Sequence, residues 1–229
     1  MEQNPIHARM CGFGEKDRRP IDPPPIIRLT VREADGSEVD LSMPGNVNIS
    51  RWILTADIYS ADGSSPCSLV TNPATTAHLN SAACVQTIGD ITMSVLNLST
   101  EPPVVTRNLI GSLGASSELL RDLNGHLGIF FAFPDLSVRT EGVYTLKFSF
   151  TMLPEPPVMT STVLATILSE PFEIYPAKRF PGMRKSTAIS KNLFDQGVRI
   201  PLRKEKRVSR KQLIETEAEI RDDMDEDEE

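Results

Sequence analysis

The sequence predicts a mainly β protein, an antiparallel sandwich of short strands with one or two short helices. Three observations predict this class. Apolar and polar residues alternate along several segments, as they do in strands that bury one face. Pro, Gly, Asn and Asp residues, which favour turns, separate those segments. The chain also contains 18 prolines and only 6% aromatic residues, which is not the composition of a helical bundle.

Seven segments carry strand patterns. Arg51–Tyr59 and Val143–Met152 alternate with a period of two, so each is expected to bury one face, and Asp62–Gly63 marks a turn after the first. Leu127–Phe133 is continuously apolar, as in a central strand, and Pro134 ends it. The predicted strands in chain order are Ile26–Val31, Arg51–Tyr59, Ile88–Leu98, Leu127–Phe133, Val143–Met152, Thr162–Leu168 and Phe172–Tyr175.

Two short helices are predicted. The first is Ser116–Leu123, in a connection between strands. The second is Ser186–Gln196, for which either Ser186 or Thr187 serves as N-cap and Gly197 as stop signal. Its expected apolar side consists of Ile189, Leu193 and Phe194.

Length and composition limit the class of protein further. The 229 residues suffice for one sizeable core with tails, and no run approaches the ~18 apolar residues of a membrane span, so we expect no membrane partner. No apolar signal-peptide segment is visible near the N-terminus. The three cysteines are too few and too scattered for a disulfide scaffold or a zinc cluster, so we expect the reducing cytosol or nucleus.

The net charge of −7 conceals an uneven distribution. Residues 1–32 carry a net charge of +2, residues 33–177 of −10, residues 178–211 of +10 and residues 212–229 of −9. Exposed charges act over about 8–10 Å in physiological salt, so a basic segment can bind a polyanion even when the pI is acidic. The overall acidity therefore does not exclude nucleic acid as a partner.

Residues Ala8–Pro25, which we call the basic loop, combine cations, glycines and prolines. Gly12 and Gly14 allow backbone angles closed to other residues, and the run Pro23–Pro25 imposes an extended exit. One interpretation is a loop that grips a phosphate backbone; the other is a solvated arm, since three acidic residues offset part of the charge. The cations are Arg9, Lys16, Arg18 and Arg19.

Signatures of catalysis and of metal binding are missing. The chain has no GxSxG elbow, no P-loop and no GxGxxG motif, and its three histidines, His7, His78 and His126, lack metal-ligand spacing. We therefore predict that the protein is not an enzyme and has neither a metal nor another cofactor.

The character of the chain changes after Pro201. Gln212–Glu229 is acidic, and we predict that residues 205–229 form a charged, disordered tail. The acidic residues either compete with a polyanion for the basic segments or serve only solubility. A cation block suited to nuclear import precedes them, with Arg203, Lys204, Lys206, Arg207, Arg210 and Lys211.

Several long stretches resemble the velvet family of fungal regulators. ARMCGFGEKDRRPIDPPPI, from Ala8 to Ile26, is similar to the opening signature of that family. IYSADG resembles a strand end of the family, with Tyr59 in place of the usual Trp. The resemblance spans roughly residues 3–204 and continues in LIGSLGAS (109–116), GIFFAFPDLSVRTEGVYTLKF (128–148) and EPFEIYPAKRFPGMRKSTAISKNLFDQGVRIPLRK (170–204).

The resemblance implies an immunoglobulin-like sandwich similar to the Rel-homology fold. It also implies double-stranded DNA binding, homo- or heterodimers with other velvet proteins, association with a methyltransferase-like regulator, and nuclear control of development, sporulation and secondary metabolism. Residues 1–204 would form the DNA-binding and dimerisation domain. Relatives usually have a strand before the signature, which we expect here to be missing or truncated. The DNA-contacting residues of the family map onto Lys16, Arg18 and Arg19, with Arg9 beside them.

Two functions remain open at this point. The first is a dimeric, sequence-specific DNA-binding transcription regulator in the nucleus, shuttling through the cytoplasm. A second, nonspecific strip of DNA contacts would be supplied by Lys178, Arg179, Arg184 and Lys185. The alternative is a protein-interaction adaptor in a nuclear complex that binds little DNA itself, a view favoured by the acidic middle of the chain.

Overall fold

The computed structural model describes residues 1–14, 18–42, 47–73, 83–88, 91–96, 105–155, 157 and 160–203, with the backbone alone for 83–88 and 91–96. Strands dominate these residues, and one helix accompanies them. The elements in chain order are β1 (His7–Arg9), β2 (Ile26–Leu29), β3 (Trp52–Ser60), β4 (Leu69–Thr71), β5 (Ala83–Ile88), β6 (Ile91–Leu96), β7 (Val105–Arg107), β8 (Leu109–Ile110), β9 (Gly114–Ser116), β10 (Glu118–Arg121), β11 (Leu127–Ala132), β12 (Ser137–Val138), β13 (Gly142–Met152), β14 (Val163–Leu168), β15 (Phe172–Tyr175) and α1 (Ala188–Asp195).

The larger sheet is built around β13. Its strands follow the order β1–β15–β13–β3–β9, and β14 pairs with β13 beside β15. β13 runs antiparallel to β3 over nine residue pairs, from Tyr144 opposite Ser60 to Met152 opposite Trp52. β1 pairs with β15, and this is the one parallel pairing among the described strands. The remaining pairs of this sheet are antiparallel, as the sequence predicts.

The smaller sheet has the order β10–β11–β2, and its inner face packs against the larger sheet. Phe131 of β11 contacts Phe150 of β13 edge to face, with ring centroids 6.2 Å apart. Phe133 and Phe148 lie 5.1 Å apart between the same layers. These aromatic contacts join the two sheets into a sandwich-like, mainly β fold. The shorter pairs are β12–β8, β4–β7 and β5–β6.

The outer face of the smaller sheet is covered by α1. Ile26 of β2 and Phe130 of β11 point away from the sandwich and are buried with Ile189 and Leu193 of the helix. β11 therefore buries both of its faces, which explains its continuous apolar sequence. Thr187 caps the helix by accepting a hydrogen bond from the Ser190 amide.

Most sequence-predicted strands are confirmed, within two residues at their ends, by β2, β3, β11, β13, β14 and β15. The predicted strand Ile88–Leu98 is confirmed in its middle by β6, but Ile88 ends the preceding strand β5, with which β6 pairs antiparallel, and that strand was not predicted. Thr145, expected on a wet face of β13, is buried and donates from its hydroxyl to the Ala61 carbonyl over 2.9 Å. The turn at Asp62 is held by the hydroxyls of Ser60 and Ser64, whose hydrogen bonds lower the pKa of Asp62 to about 2.

The predicted helix Ser116–Leu123 is wrong. Glu118–Arg121 is strand β10, paired antiparallel with β11, and Leu120 is buried in the cluster beneath α1. The second predicted helix is confirmed, with Thr187 as its cap. Phe194, expected on its apolar side, is 45% exposed. In the part of the chain that the structure describes, no helix has the length and apolar character needed to cross a membrane.

Candidate nucleic-acid interface

The basic loop is hydrogen-bonded to the sandwich through both of its described parts, residues 8–14, which we call the first limb, and residues 18–25, the second limb. On the first limb, the amides of Cys11 and Gly12 donate to the carbonyls of Val138 and Arg139 over 2.9 and 3.1 Å. On the second limb, the Ile21 amide donates to Leu136 O over 2.7 Å. Both limbs are therefore hydrogen-bonded to the segment 136–139, which contains β12, and these bonds fix the described backbone of the loop.

Glycine is required at one point of the first limb. Gly12 has a φ of +62°, in the left-handed region that other residues rarely adopt. No atom lies within 4 Å of the position that a Cβ would occupy there. The conformation of the backbone, rather than lack of space, therefore favours glycine at this turn.

Asp22 ties the second limb to the carboxyl-terminal part of the domain. Its side chain is 3% exposed, and Oδ1 accepts from Nη1 of Arg203 over 3.0 Å. Oδ2 accepts from the backbone amide of Arg184 and lies 3.6 Å from Nε2 of His7. A buried carboxylate with a charged partner and an amide donor holds three distant segments together.

The arginines of the second limb are exposed. Arg18 and Arg19 both carry solvent-accessible side chains, and the carbonyl of Arg19 accepts from the Ser137 hydroxyl over 2.9 Å. Their backbone is thus positioned while their guanidinium groups remain accessible. Arg9, at the end of β1, is partly buried. Lys16, the fourth predicted cation of the loop, lies outside the described residues.

The second predicted strip flanks the loop. Lys178 and Arg179 lie in the turn after β15, whose end is joined to the loop because the Met10 amide donates to Tyr175 O over 2.8 Å. Arg179 is exposed and pairs with Glu141 at 3.6 Å. The other two residues of the strip, Arg184 and Lys185, are exposed near Pro23 and Ile6. Both pairs of cations therefore lie beside the loop.

Two further arginines, which the sequence interpretation missed, adjoin the first limb. Arg139 donates from Nη1 to the Gly12 carbonyl and from Nε to the Arg107 carbonyl, each over 2.9 Å. Its guanidinium lies over the Phe13 ring, 5.9 Å from the centroid. The side chain of Arg107 is exposed. Arg139 directly follows β12, the strand to which the loop is hydrogen-bonded. The sequence indicates this position only if the short strand β12 is recognised first.

Tyr175 adds a neutral hydroxyl beside this surface. A hydrogen bond to the Glu173 carboxylate, with partial desolvation, raises the pKa of Tyr175 above its usual value. Its ring stands edge-on to His7, with centroids 6.2 Å apart. The tyrosine therefore contributes packing beside this surface, while its hydroxyl is engaged by Glu173.

Of the six cations predicted to form a nuclear-import block, the structure describes only Arg203. Arg203 is 28% exposed and engaged with Asp22, so it serves the domain as a structural anchor. Lys204, Lys206, Arg207, Arg210 and Lys211 lie outside the described residues, as does the tail 205–229. Their import role stays a prediction.

Guanidinium groups on a fixed backbone suit the recognition of phosphates, which they bind through paired, charge-assisted hydrogen bonds. The described part of the chain contains no group of three or more His, Cys, Asp or Glu side chains arranged to hold a metal ion. The surface around the basic loop thus has the chemistry of a polyanion-binding site.

Comparisons with known proteins agree with the resemblance. The family model for the velvet factor matches residues 1–207. A velvet complex subunit of Emericella nidulans is 34% identical over 286 aligned residues, covering 89% of this chain and 77% of that protein. A velvet complex subunit of Aspergillus flavus is 34% identical over 280 residues, with the same coverage. The sexual development regulator umv3 of Mycosarcoma maydis is 35% identical over 218 residues, covering 93% of this chain and 46% of that protein. On the family match over residues 1–207 and these identities, the chain belongs to the velvet family.

Proposed function

We propose that this chain is a regulator of fungal development that binds double-stranded DNA through the basic loop and acts as a dimer in the nucleus, without enzymatic activity. The names of its relatives, velvet complex subunits and a sexual development regulator, support the regulatory role. Control of sporulation and secondary metabolism, shuttling through the cytoplasm and association with a methyltransferase-like regulator follow from the resemblance and belong to the same proposal.

One observation carries the DNA-binding part. The backbone of the basic loop is hydrogen-bonded to residues 136–139 on both limbs, while Arg18 and Arg19 are exposed. A fixed backbone lowers the entropy that each arginine loses when it binds a phosphate. Exposed cations flank the loop on one side at Lys178 and on another at Arg184. The arrangement can follow a phosphate backbone beyond the loop itself.

The mechanism assigns different tasks to these cations. Lys16, Arg18 and Arg19 neutralise phosphates, and at least one arginine reads a guanine edge in the major groove through two hydrogen bonds. Lys178, Arg179, Arg184 and Lys185 add contacts without sequence preference. Arg179 joins this set by exchanging Glu141 for a phosphate, which costs little because the pair is exposed on both sides.

The test is the double variant Arg18→Ala/Arg19→Ala. We expect its affinity for duplex DNA to fall at least about tenfold near 100 mM salt, with the slope of log affinity against log salt reduced by about 2. Thermal unfolding should remain unchanged, because exposed side chains contribute little to stability. The matched control, Arg32→Ala/Lys191→Ala, removes two exposed cations that belong neither to the basic loop nor to its flanking strip. Equal DNA affinity in both double variants would refute the assignment.

The edge strand β14 supports association with a second velvet domain. All six of its residues are exposed, and β13 is its pairing partner among the described residues. Its sequence, VLATIL, lacks the charges and prolines that usually protect an edge. An antiparallel pairing of two copies centred between Ala165 and Thr166 would place Leu164 opposite Ile167 and Val163 opposite Leu168, so in this register the strand is complementary to itself.

The adaptor function is the second candidate, and the apolar edge of β14 is the observation that favours it. DNA titrations of the purified chain, alone and with a velvet relative, separate the two functions. Affinity that requires the relative supports an obligate heterodimer, whereas absence of DNA binding in both cases favours the adaptor.

A further inference from the structure

We infer that the acidic segment Gln212–Glu229 of this chain occupies the surface around the basic loop and competes there with DNA. The inference rests on the proposed DNA-binding function, since it names a regulator of the same site. It is carried by the charges of the segment, by the place where the chain leaves the described domain, and by the exposure of the cations near that place.

The two charge patterns are complementary. Gln212–Glu229 carries ten acidic residues and one arginine, a net charge of −9 over 18 residues. Such a density of carboxylates resembles that of a phosphate backbone, and guanidinium groups bind both anions in the same geometry. Arg18, Lys178 and Arg184 are exposed, and none of them pairs with a carboxylate among the described residues.

The described domain ends beside the basic loop. Arg203, at the carboxyl-terminal end of the described domain, is held by Asp22 of the basic loop and by the hydroxyl of Ser186, which accepts from the Arg203 amide over 2.9 Å. Asp22 is three residues from Arg19, at most about 11 Å of backbone. Arg203 therefore lies next to the part of the loop that carries the exposed arginines.

The available length is sufficient. Eleven residues lie between Arg203 and Glu215, the first acidic residue of the segment, and the chain between the two can span up to about 40 Å. The cations to be reached lie within the loop that Arg203 itself contacts. Because the segment belongs to the same chain, its effective concentration at this surface is in the millimolar range, so weak ion pairs suffice for occupancy.

Competition reduces DNA affinity by the fraction of molecules in which the surface is open. We expect the variant Asp225→Asn/Glu226→Gln/Asp227→Asn/Glu228→Gln to bind a random-sequence DNA duplex about five- to tenfold more tightly than the unmodified chain at ~50 mM salt. The gain should shrink near ~200 mM salt, where exposed ion pairs are screened.

A matched control neutralises four acidic residues elsewhere. Glu33→Gln/Asp35→Asn/Glu38→Gln/Asp40→Asn changes the net charge equally. These exposed residues follow the end of β2 that lies away from Pro25 and the basic loop. We expect this variant to gain less than twofold in DNA affinity. Equal gains in the two variants would overturn the inference, because net charge alone would then account for both.

A second measurement detects the contact without DNA. A carbodiimide joins a lysine amine to a carboxylate in direct contact, and mass spectrometry of the full chain locates the links. We expect links from residues 215–229 to Lys178 or Lys185 that disappear in ~300 mM salt. Links confined to Lys204, Lys206 and Lys211 would overturn the inference, because the acids would then neutralise only their own neighbours.

The two measurements separate this inference from the proposed function. If the unmodified chain and all variants fail to bind duplex DNA while the links to Lys178 or Lys185 form, the proposed function and the competition are both wrong, and the intramolecular contact alone stands. If DNA binds and neither the affinity gain nor these links are found, the competition is wrong and the DNA-binding function stands.

Discussion

Asp22 is the residue on which the geometry of the basic loop depends most. Its carboxylate is buried, yet it contacts groups that lie 162 and 181 positions further along the chain, at Arg184 and Arg203. A buried carboxylate costs free energy unless it is paired and hydrogen-bonded, and here both conditions hold. The loop is thus locked to the end of the domain by one side chain.

The variant Asp22→Ala tests this role. It leaves the Arg203 guanidinium and the Arg184 amide without their acceptor, and we expect the free energy of unfolding to fall by about 2–3 kcal/mol. Urea denaturation measures the change. The control is Glu141→Ala, which breaks the exposed pair with Arg179 and should cost less than about 0.5 kcal/mol. Similar losses in both variants would contradict the structural role of Asp22.

Among the residues of the site, the exposed cations were predictable and their supports were not. Arg18 and Arg19 stand in a charged, proline-bounded loop whose composition indicates exposure. The partners of Asp22 and the placement of Arg139 against Gly12 depend on contacts between segments far apart in sequence. Local composition carries no information about such pairs, so the sequence could not identify them.

At the scale of elements, strands were recognisable where alternation was long. β3 and β13 alternate over nine or more residues, and their buried faces include Leu54, Ile58, Leu146 and Phe148. β10 has four residues, too few for a period to show. Its strand conformation comes from pairing with β11, which is a tertiary effect that overrides local preference.

The helix α1 depends on its buried side. Leu193 is fully buried against the smaller sheet, whereas its neighbour Phe194 is 45% exposed. We expect Leu193→Ala to lower the free energy of unfolding by about 2–4 kcal/mol, through loss of apolar burial and creation of a cavity. Phe194→Ala, the control within the same helix, should cost less than about 1 kcal/mol. Chemical denaturation measures the free energy of unfolding of both variants. A larger loss of stability in Phe194→Ala than in Leu193→Ala would contradict this packing.

The strand β14 gives the prediction about association. Leu164→Lys places a charge on the apolar edge, and we expect the dissociation constant of the dimer to rise at least about tenfold because a lysine protects an edge from pairing. The control is Leu69→Lys, at an exposed leucine of β4. Sedimentation equilibrium measures both. A dimer equally stable in the two variants would show that another surface joins the two copies.

At the scale of the whole molecule, acidic and basic residues occupy different segments of the chain. Residues 33–177 contain most of the strands of the sandwich and carry a net charge of −10. The cations are concentrated in the basic loop and after residue 177. The parallel pairing of β1 with β15 joins these two basic segments at one edge of the larger sheet. The fold thereby brings cations from the two ends of the domain to the same edge of the sheet.

The salt dependence of DNA binding by the unmodified chain tests this account most directly. About four phosphate contacts per protomer predict that log affinity for duplex DNA falls with log salt at a slope between about −3 and −4, doubled for a dimer. Fluorescence anisotropy over a series of salt concentrations measures the slope. A slope near zero, or no binding at low salt, would contradict the claim that this surface binds a phosphate backbone.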